Sequence, residues 1–544
     1  MRKSRMSSVA RVALVVWLFA AVALPSAQPT SVPGAPKLVL LVAVDQFRYD
    51  YLTRFRDEYT AGLKQLLNDG AVFTDANLEH YPTVTAVGHA TMLTGALPSV
   101  SGIIGNDWFD REGGASVTSV SDPAVELLGV PPGRAGASPH RLLVTTVADE
   151  LKAARRAPAG AAAPRVIGLS LKDRSAILAV GRGADAAYWF DTTTGHFVSS
   201  TYYFPQPPEW LAAFNARKLA DGHAGKAWTF LDPSSGPGHT LPAQPGQPLY
   251  NAVYGSPFGN DLLLALAEQV LDAERLGRRG TTDVLSVSFS SNDSVGHTYG
   301  PDSPEVRDIS IRTDRVVGRL LDRVDQLVGL RNTIVVLTSD HGVAPLPEVQ
   351  AERRQPGGRV DGKAVFGPIE RALETRFGPG RWVLATAGSS PYFDHALIAE
   401  KGLPLSEVRQ VAADAAATAP AVVRVFTYDQ LRRGEAGTDR MGQRVLRSFN
   451  ARRSGDLEIL LEPHWMRSSV GTTHGTPYGY DAHIPLILMG PGVKGGRYTA
   501  HAALNDLAPT LATLLDVEIP SGSSGRVLGE ALQGVAAGAP AMTH

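Results

Sequence analysis

The chain contains no cysteine, although it is 544 residues long. That absence excludes a disulfide framework, an iron–sulfur cluster, a zinc site with thiolate ligands and a cysteine nucleophile. Net charge is also almost absent, because 52 Lys and Arg residues stand against 53 Asp and Glu residues, for a formal charge of −1. A chain so close to neutral gives no support for binding nucleic acid through electrostatic attraction between opposite net charges. No apolar run reaches the roughly 20 residues that a membrane-spanning helix needs.

Hydrophobic residues make up 44% of the chain and charged residues 19%, which is typical of a folded globular protein. The length favours three or four domains, or one large α/β domain with insertions. The sequence specifies no oligomeric state.

The N-terminus has the pattern of a secretory signal. An apolar run over residues 12–24 is followed by Pro25-Ser26-Ala27 and preceded by the basic residues Arg2, Lys3, Arg5 and Arg11. This pattern predicts a signal peptide over residues 1–27 and an exported protein in the periplasm. The alternative is a membrane anchor, which the short apolar run disfavours.

Four short apolar runs end abruptly in polar residues: Leu38–Val44, Val166–Leu171, Val284–Phe289 and Thr333–Thr338. Such runs are typical of parallel strands that are buried on both faces. Helical patterns lie between them, at Tyr59–Leu67, Thr146–Arg156, Asp261–Leu276 and Ser303–Val328. The alternation predicts an α/β fold with a doubly wound, mostly parallel sheet, helices on both faces and cap insertions. In such sheets, ligands bind at the carboxyl ends of the strands.

The predicted catalytic domain comprises residues 28–348 and 431–544. A first insertion, around residues 187–250, begins with a hairpin at Ala187–Ser200, and we expect it to cover the site rather than extend the sheet. A second, small α/β insertion is predicted over residues 349–430. After it, the runs Leu457–Leu461 and Ile484–Met489 are predicted to return to the main sheet.

Six Asp and His residues lie beside the predicted strand ends: Asp45, Asp293, His297, Asp340, His341 and His474. Asp293 and His297 are four residues apart, so one helical turn can present both to a metal ion. Imidazole and carboxylate ligands without thiolate favour zinc, with manganese or iron as alternatives. The competing interpretation is that each residue is only a helix cap or a hydrogen-bonded structural group. His89 is interpreted as structural, and His483 is a weaker candidate ligand.

Thr85 is a candidate nucleophile, just before a helix predicted from Ala86 to Thr94. A threonine hydroxyl needs a base or a metal ion to lower its pKa, and the metal residues can supply that here. The alternative is that Thr85 only caps the helix.

The motifs Met92-Leu-Thr-Gly, Val100-Ser-Gly-Ile-Ile-Gly-Asn-Asp-Trp, Ser290-Ser-Asn-Asp-Ser-Val-Gly-His, Thr338-Ser-Asp-His-Gly and Gly471-Thr-Thr-His-Gly occur in this order. Together they resemble the alkaline phosphatase superfamily, and more closely its phosphate-irrepressible, periplasmic alkaline phosphatase branch, related to the nucleotide pyrophosphatase/phosphodiesterases.

The resemblance implies two zinc sites, one formed by Asp293, His297 and His474 and the other by Asp45, Asp340 and His341. It also implies that Thr85 contacts the metal centre as the nucleophile and is transiently phosphorylated. Asn106 would donate a hydrogen bond to a phosphate oxygen.

Lys172 and Arg174 follow a predicted strand two residues apart, hence on the same side of an extended segment. The resemblance makes them phosphate-oxygen ligands of the monoesterase branch, which the diesterases lack. A monoester carries about two negative charges above a pKa near 6, so added cations favour it over a singly charged diester.

These observations predict a secreted alkaline phosphatase that hydrolyses small phosphate monoesters at two zinc ions through a phosphothreonine intermediate. The nearest alternative is a phosphodiesterase or nucleotide pyrophosphatase on the same scaffold. A sulfatase would need a Cys or Ser in a Cys/Ser-x-Pro-x-Arg motif, whereas Ala-Val-Gly follows Thr85. An exported phosphate-ester binding protein is disfavoured by the complete ligand set.

Overall fold

The computed structural model describes residues 34–154 and 162–534. The predicted signal peptide lies outside the described residues, as do Arg155 and Arg156 at the end of one predicted helix. Among the described helices, none combines the length and the apolar character needed to cross a bilayer.

An eleven-stranded sheet forms the centre of the described chain. Its strands are, in spatial order, Gly496–Tyr498, Ala71–Phe73, Leu486–Met489, Thr333–Thr338, Leu38–Val44, Asp283–Phe289, Val166–Ser170, Ala186–Asp191, His196–Ser200, Ser121–Leu128 and Ala135–Ala137. The five strands from Thr333–Thr338 to Ala186–Asp191 run parallel to their neighbours. All four predicted strands are in this parallel centre, and every residue of Leu38–Val44 is buried.

Helices cover both faces of the sheet because side chains alternate along each strand. Leu40 and Val42 of the central strand pack into one hydrophobic cluster with the long helices Pro257–Ala273 and Pro304–Leu327. Leu41, between them, packs into a second cluster on the opposite face with the helix Leu507–Leu515. This arrangement confirms the predicted doubly wound α/β fold.

The remaining helices of the main body are short. Their bounds are Tyr51–Arg54, Gly62–Asp69, Thr85–Thr94, Pro98–Ser101, Val147–Ala153, Asp173–Leu178, Glu209–Ala216, Gln247–Tyr254, Ser291–Tyr299 and Gly479–Ala482.

The hairpin predicted at Ala187–Ser200 forms, but it extends the sheet, so the prediction that it only covers the site was wrong. Ala186–Asp191 pairs in parallel with Val166–Ser170, and His196–Ser200 then pairs antiparallel to Ala186–Asp191. Both strands are largely buried, and such apolar strands are more stable when their backbone groups pair with the sheet than when they lie over it.

The second insertion has its own hydrophobic core between the helices Gly362–Phe377 and Leu405–Ala416 and its short strands. Leu457–Leu461, predicted to return to the main sheet, pairs instead with Val422–Thr427 of this insertion. The correction has a physical reason, because Leu457 and Ile459 are buried in the insertion's core. We therefore use "the insertion" below for residues 349–466; the division of the chain into domains stays a prediction.

The other elements of the insertion are short. They comprise the helices His395–Glu400, Tyr428–Arg432 and Arg440–Ser448, and the strands Gly358–Arg359, Val383–Ala387, Ser390–Phe393 and Trp465–Met466. The helix Pro347–Glu352 leads from the main body into the insertion.

A buried carboxylate, Asp456, joins the insertion to the main body. It accepts hydrogen bonds from Arg409 Nε at 2.8 Å and His395 Nε2 at 2.9 Å within the insertion. It also accepts one at 2.8 Å from Arg111 Nη2, which belongs to the hairpin Asp107–Thr118 of the main body. Burial acts to raise the pKa of Asp456, but the hydrogen bond from His395 and the charges of Arg111 and Arg409 outweigh it and hold the pKa well below its usual range.

We expect Asp456→Asn to lower the free energy of unfolding by about 3 kcal/mol, because it leaves the buried Arg409 guanidinium with only the partly exposed Asp429 as a counter-ion. Chemical denaturation measures this loss. Since the pKa is depressed in the folded state, the stabilisation is present above the unfolded pKa near 3.9 and is lost as the pH falls below it. The exposed Asp414→Asn on the helix Leu405–Ala416 is the matched control. Equal stability of the two variants would contradict this role.

Candidate active site

The polar residues predicted at the strand ends meet at the carboxyl edge of the parallel strands. The strands Leu38–Val44, Val166–Ser170, Asp283–Phe289 and Thr333–Thr338 lead, in that order, to Asp45, Lys172, Asp293 and Asp340. All four residues are buried. Parallel strands bring their carboxyl ends to one edge of a sheet, so residues far apart in the sequence become neighbours there.

The six candidate ligands form two groups. Asp293, His297 and His474 present ligand atoms that lie within 4.8 Å of one another. The same holds for the second group, which consists of Asp45, Asp340 and His341. These are the two sets that the sequence resemblance implied.

The three histidines of these groups are oriented by the backbone. Nδ1 of His297 lies 2.7 Å from the Thr472 carbonyl oxygen, and Nδ1 of His474 lies 2.8 Å from that of Thr83. His341 Nδ1 is 2.9 Å from the carbonyl of Gly342. Because each Nδ1–H donates to a carbonyl, each Nε2 keeps its lone pair for a metal ion.

The second group has the chemistry of a cation site. Oδ1 of Asp45 and Oδ2 of Asp340 are buried without a hydrogen-bond partner in the described chain. Burial and repulsion from Asp340 raise the pKa of Asp45 well above its usual value. Burial lowers the pKa of His341, so its imidazole is neutral at pH 7. Unpaired carboxylate oxygens beside a neutral imidazole fit a divalent cation with oxygen and nitrogen ligands.

Lys172 links the two groups. Its ammonium nitrogen lies 2.6 Å from Asp45 Oδ2 and 2.6 Å from Asp293 Oδ2. It also donates to Thr85 Oγ at 3.4 Å. The carboxylates of the two groups outnumber this one ammonium, so the cluster retains excess negative charge that cations would compensate.

Thr85 begins the helix Thr85–Thr94, one residue earlier than predicted. Val84 is the N-cap residue, so the alternative role of Thr85 as a helix cap is wrong. The helix packs closely on the second group, because a Cβ atom at Gly88 would come within 2.4 Å of the Asp340 carbonyl oxygen. Buried Thr85 Oγ lies 3.3 Å from His341 Nε2.

Asn106 lies beside the start of this helix. Its Oδ1 accepts a hydrogen bond of 2.9 Å from the backbone N–H of Ala86. Because this hydrogen bond uses the side-chain oxygen of Asn106, its side-chain amide nitrogen remains available to donate to a ligand. Asn106 also lines the cavity next to His297 and His474.

Arg174 is not on an extended segment with Lys172. Lys172 is the N-cap of the helix Asp173–Leu178, and Arg174 lies in its first turn. The predicted same-side spacing was therefore wrong, because the chain turns into a helix directly after the strand. Burial acts to lower the pKa of Arg174, but the adjacent Asp173 and the charges of Asp45 and Asp293 outweigh it and raise the pKa.

Two other histidines are outside the ligand groups. His89 is fully buried, with Nδ1 2.9 Å from the Thr85 carbonyl and Nε2 2.8 Å from Ser288 Oγ, which confirms its structural role. His483 stacks on Tyr49 with ring centroids 4.3 Å apart, and its Nε2 is 3.0 Å from the Thr74 carbonyl.

Gln46 is a site residue that the sequence analysis missed. Its Nε2 donates to Asp293 Oδ1 at 2.6 Å, and its backbone has a φ of 62°. Gly296 makes room for it, since a Cβ there would lie 1.8 Å from Gln46 Oε1. Gly296, between Asp293 and His297, was the one sign in the sequence that a side chain packs closely there, and a glycine alone does not identify that side chain as Gln46.

Known proteins are similar to this chain along nearly its whole length. A family model described as type I phosphodiesterase / nucleotide pyrophosphatase matches residues 39–473. Alkaline phosphatase PafA of Elizabethkingia meningoseptica is 34% identical over 533 residues, which cover 93% of this chain and 96% of that protein. Alkaline phosphatase PhoV of Synechococcus elongatus is 34% identical over 532 residues, which cover 94% and 95%.

The crystal structure of wild-type PafA superposes with a TM-score of 0.84, covering 92% of this chain and 99% of that one. The family match, the full-length identities and this superposition agree with the resemblance carried by the sequence motifs. The chain therefore belongs to the type I phosphodiesterase / nucleotide pyrophosphatase family of the alkaline phosphatase superfamily.

Proposed function

We propose that the chain is an exported alkaline phosphatase that hydrolyses phosphate monoesters at a two-zinc centre, with Thr85 as the nucleophile. The observation that carries the proposal is the position of Thr85 Oγ, 3.3 Å from His341 Nε2 and 3.4 Å from Lys172 Nζ. Two relatives that match more than nine-tenths of this chain are named alkaline phosphatases, which agrees with phosphomonoester hydrolysis. The N-terminal signal pattern supports export.

Two zinc ions fit the two ligand groups. One would be held by Asp293, His297 and His474, and the other by Asp45, Asp340 and His341. Bound divalent cations supply Lewis-acid chemistry, because they lower the pKa of a hydroxyl group and stabilise negative charge on oxygen.

Hydrolysis then proceeds in two displacements at phosphorus. Thr85 Oγ loses its proton and bonds to phosphorus while the bond from phosphorus to the alcohol oxygen breaks, and that oxygen takes up a proton. A water oxygen then bonds to phosphorus, the bond to Thr85 breaks, and phosphate leaves while Thr85 regains its proton. Two in-line displacements give net retention of configuration at phosphorus.

The cationic and amide donors of the chain stabilise charge on the transferred group. Lys172 donates toward Thr85 Oγ and is therefore adjacent to the atom that would bond to phosphorus. Arg174 and the Asn106 amide nitrogen are the other candidate donors for the phosphoryl oxygens. Each fixed donor would stabilise the negative charge that develops on the phosphoryl oxygens in the transition state.

The alternative function is hydrolysis of phosphodiesters, which the family description also includes. The two functions are separated by assaying p-nitrophenyl phosphate and its bis ester side by side. We expect the wild-type protein to prefer the monoester.

Lys172→Ala and Arg174→Ala should each lower kcat/KM for the monoester by about 10²–10³-fold. The loss of kcat/KM for the diester should be much smaller, since a diester has one negative charge fewer.

The exposed Arg182→Ala serves as the control, since it removes an equal charge away from the site. A wild-type preference for the bis ester, or equal losses on both substrates, would refute the assignment of Lys172 and Arg174.

A further inference from the structure

A cavity of about 370 Å³ extends from the candidate active site to the insertion. Its near end is lined by Asn106, His297 and His474. Its lining also includes Tyr81 of the main body together with Ser390, Glu458 and Arg467. Within the range of ligand pockets, this volume suits a small organic group attached to a phosphoryl group at the near end.

Glu458 faces this cavity because of its position on the strand Leu457–Leu461. Leu457 and Ile459 point to the hydrophobic core of the insertion. Side chains alternate along a strand, so Glu458 lies on the opposite face with Leu460, which packs against Tyr81. A carboxylate on this otherwise apolar face is costly to bury unless it is hydrogen-bonded.

Two hydroxyl groups hold the Glu458 carboxylate in place. Tyr81 donates to Oε1 at 3.0 Å, and Ser390 donates to Oε2. An ionised carboxylate has about four acceptor positions, so two remain for a ligand. The carboxylate therefore forms a fixed acceptor in the cavity wall.

Arg467 compensates this carboxylate only in part. Its Nη2 donates to the Gly388 carbonyl at 2.6 Å, and its guanidinium lies 5.1 Å from the ring centroid of Phe366. No ion pair within 4 Å joins it to Glu458 in the described residues. Burial raises the pKa of Glu458 to about 7, although Ser390, Tyr81 and Arg467 act to lower it.

We propose that Tyr81, Ser390, Glu458 and Arg467 form a leaving-group subsite, and that Glu458 selects alcohols carrying a second hydrogen-bond donor, either a hydroxyl or an ammonium group. The inference rests on the proposed phosphatase function, since it concerns the alcohol portion of the same substrate. Glu458 is a specificity residue here and takes no part in the displacement at phosphorus.

The test compares kcat/KM for series of ω-aminoalkyl, ω-hydroxyalkyl, plain alkyl and ω-carboxyalkyl phosphates of increasing chain length. At the length that spans the cavity, we expect the aminoalkyl and hydroxyalkyl esters to be hydrolysed faster than the alkyl ester, and the carboxyalkyl ester slowest. Glu458→Gln should reduce the aminoalkyl to carboxyalkyl ratio about tenfold or more while changing the alkyl rate little. Glu462→Gln, an exposed change directly after the same strand, should leave the ratio unchanged.

A wild-type measurement keeps the test independent of how well the variant folds. Between pH 6 and 8 the aminoalkyl to alkyl ratio should rise, because Glu458 becomes ionised as the pH passes about 7 while the nearby Arg467 stays charged and the Tyr81 hydroxyl stays neutral. A ratio that is flat with pH, or a preference that survives Glu458→Gln, would overturn the subsite. Absence of hydrolysis for every series would instead refute the proposed phosphatase function.

Discussion

Thr85→Ala is expected to lower phosphomonoesterase activity by a factor on the order of 10³ or more, and to abolish the covalent phosphoenzyme. The reason is chemical, since the variant loses the hydroxyl oxygen that lies next to His341 and Lys172 and that the proposal makes the nucleophile. Rapid acid quench with ³²P-labelled substrate measures the trapped phosphoenzyme. Thr85→Ser should retain part of the activity, because it keeps the hydroxyl.

Thr94→Ala provides the comparison for this experiment. Thr94 belongs to the same helix and is equally buried, and its hydroxyl donates to the backbone carbonyl of Ala90 and accepts from the backbone N–H of Ala96. Its loss should lower stability slightly and leave phosphoenzyme formation intact. Wild-type levels of phosphoenzyme in Thr85→Ala would remove Thr85 from the mechanism.

Removal of divalent cations is expected to have an effect of similar size. After dialysis against a strong chelator, activity should fall by a factor on the order of 10³ or more, and readdition of zinc should restore it. The temperature midpoint of unfolding should fall as well, because the buried carboxylates of Asp45, Asp293 and Asp340 would then repel one another.

Elemental analysis of the purified protein measures the number of bound zinc ions, and we expect about two per chain. His341→Ala should remove one of them and His474→Ala the other, since each residue belongs to a different ligand group. Fewer than one tightly bound ion in the wild-type protein, or full activity after chelation, would contradict the two-zinc centre.

The parallel centre of the fold could be predicted because its strands are continuous apolar runs that end in polar residues. Leu38–Val44 is such a run, and the structure buries all of it. Leu457–Leu461 has the same local character, yet it pairs with the insertion. Composition cannot separate these cases, because the partner of an apolar strand is chosen by long-range packing.

The candidate site was predictable to a similar degree. Its Asp and His residues follow strands whose ends converge, so their proximity could be anticipated, whereas their division into two groups came from the family resemblance. The helical position of Arg174 could not, because a turn directly after Val166–Ser170 leaves no clear pattern in the residues. Glu458 was missed for another reason, since its partner Tyr81 is 377 residues away in the chain.

The two ligand groups draw on residues from position 45 to position 474, and each group combines segments that are distant in the sequence. Under the proposed metal centre, a nascent chain would therefore hold an incomplete set of ligands and would have little affinity for a cation. Capture of the proposed ions would follow tertiary assembly, in the compartment where the chain completes its folding. The supply of free metal in that compartment would then decide which ion the proposed site acquires.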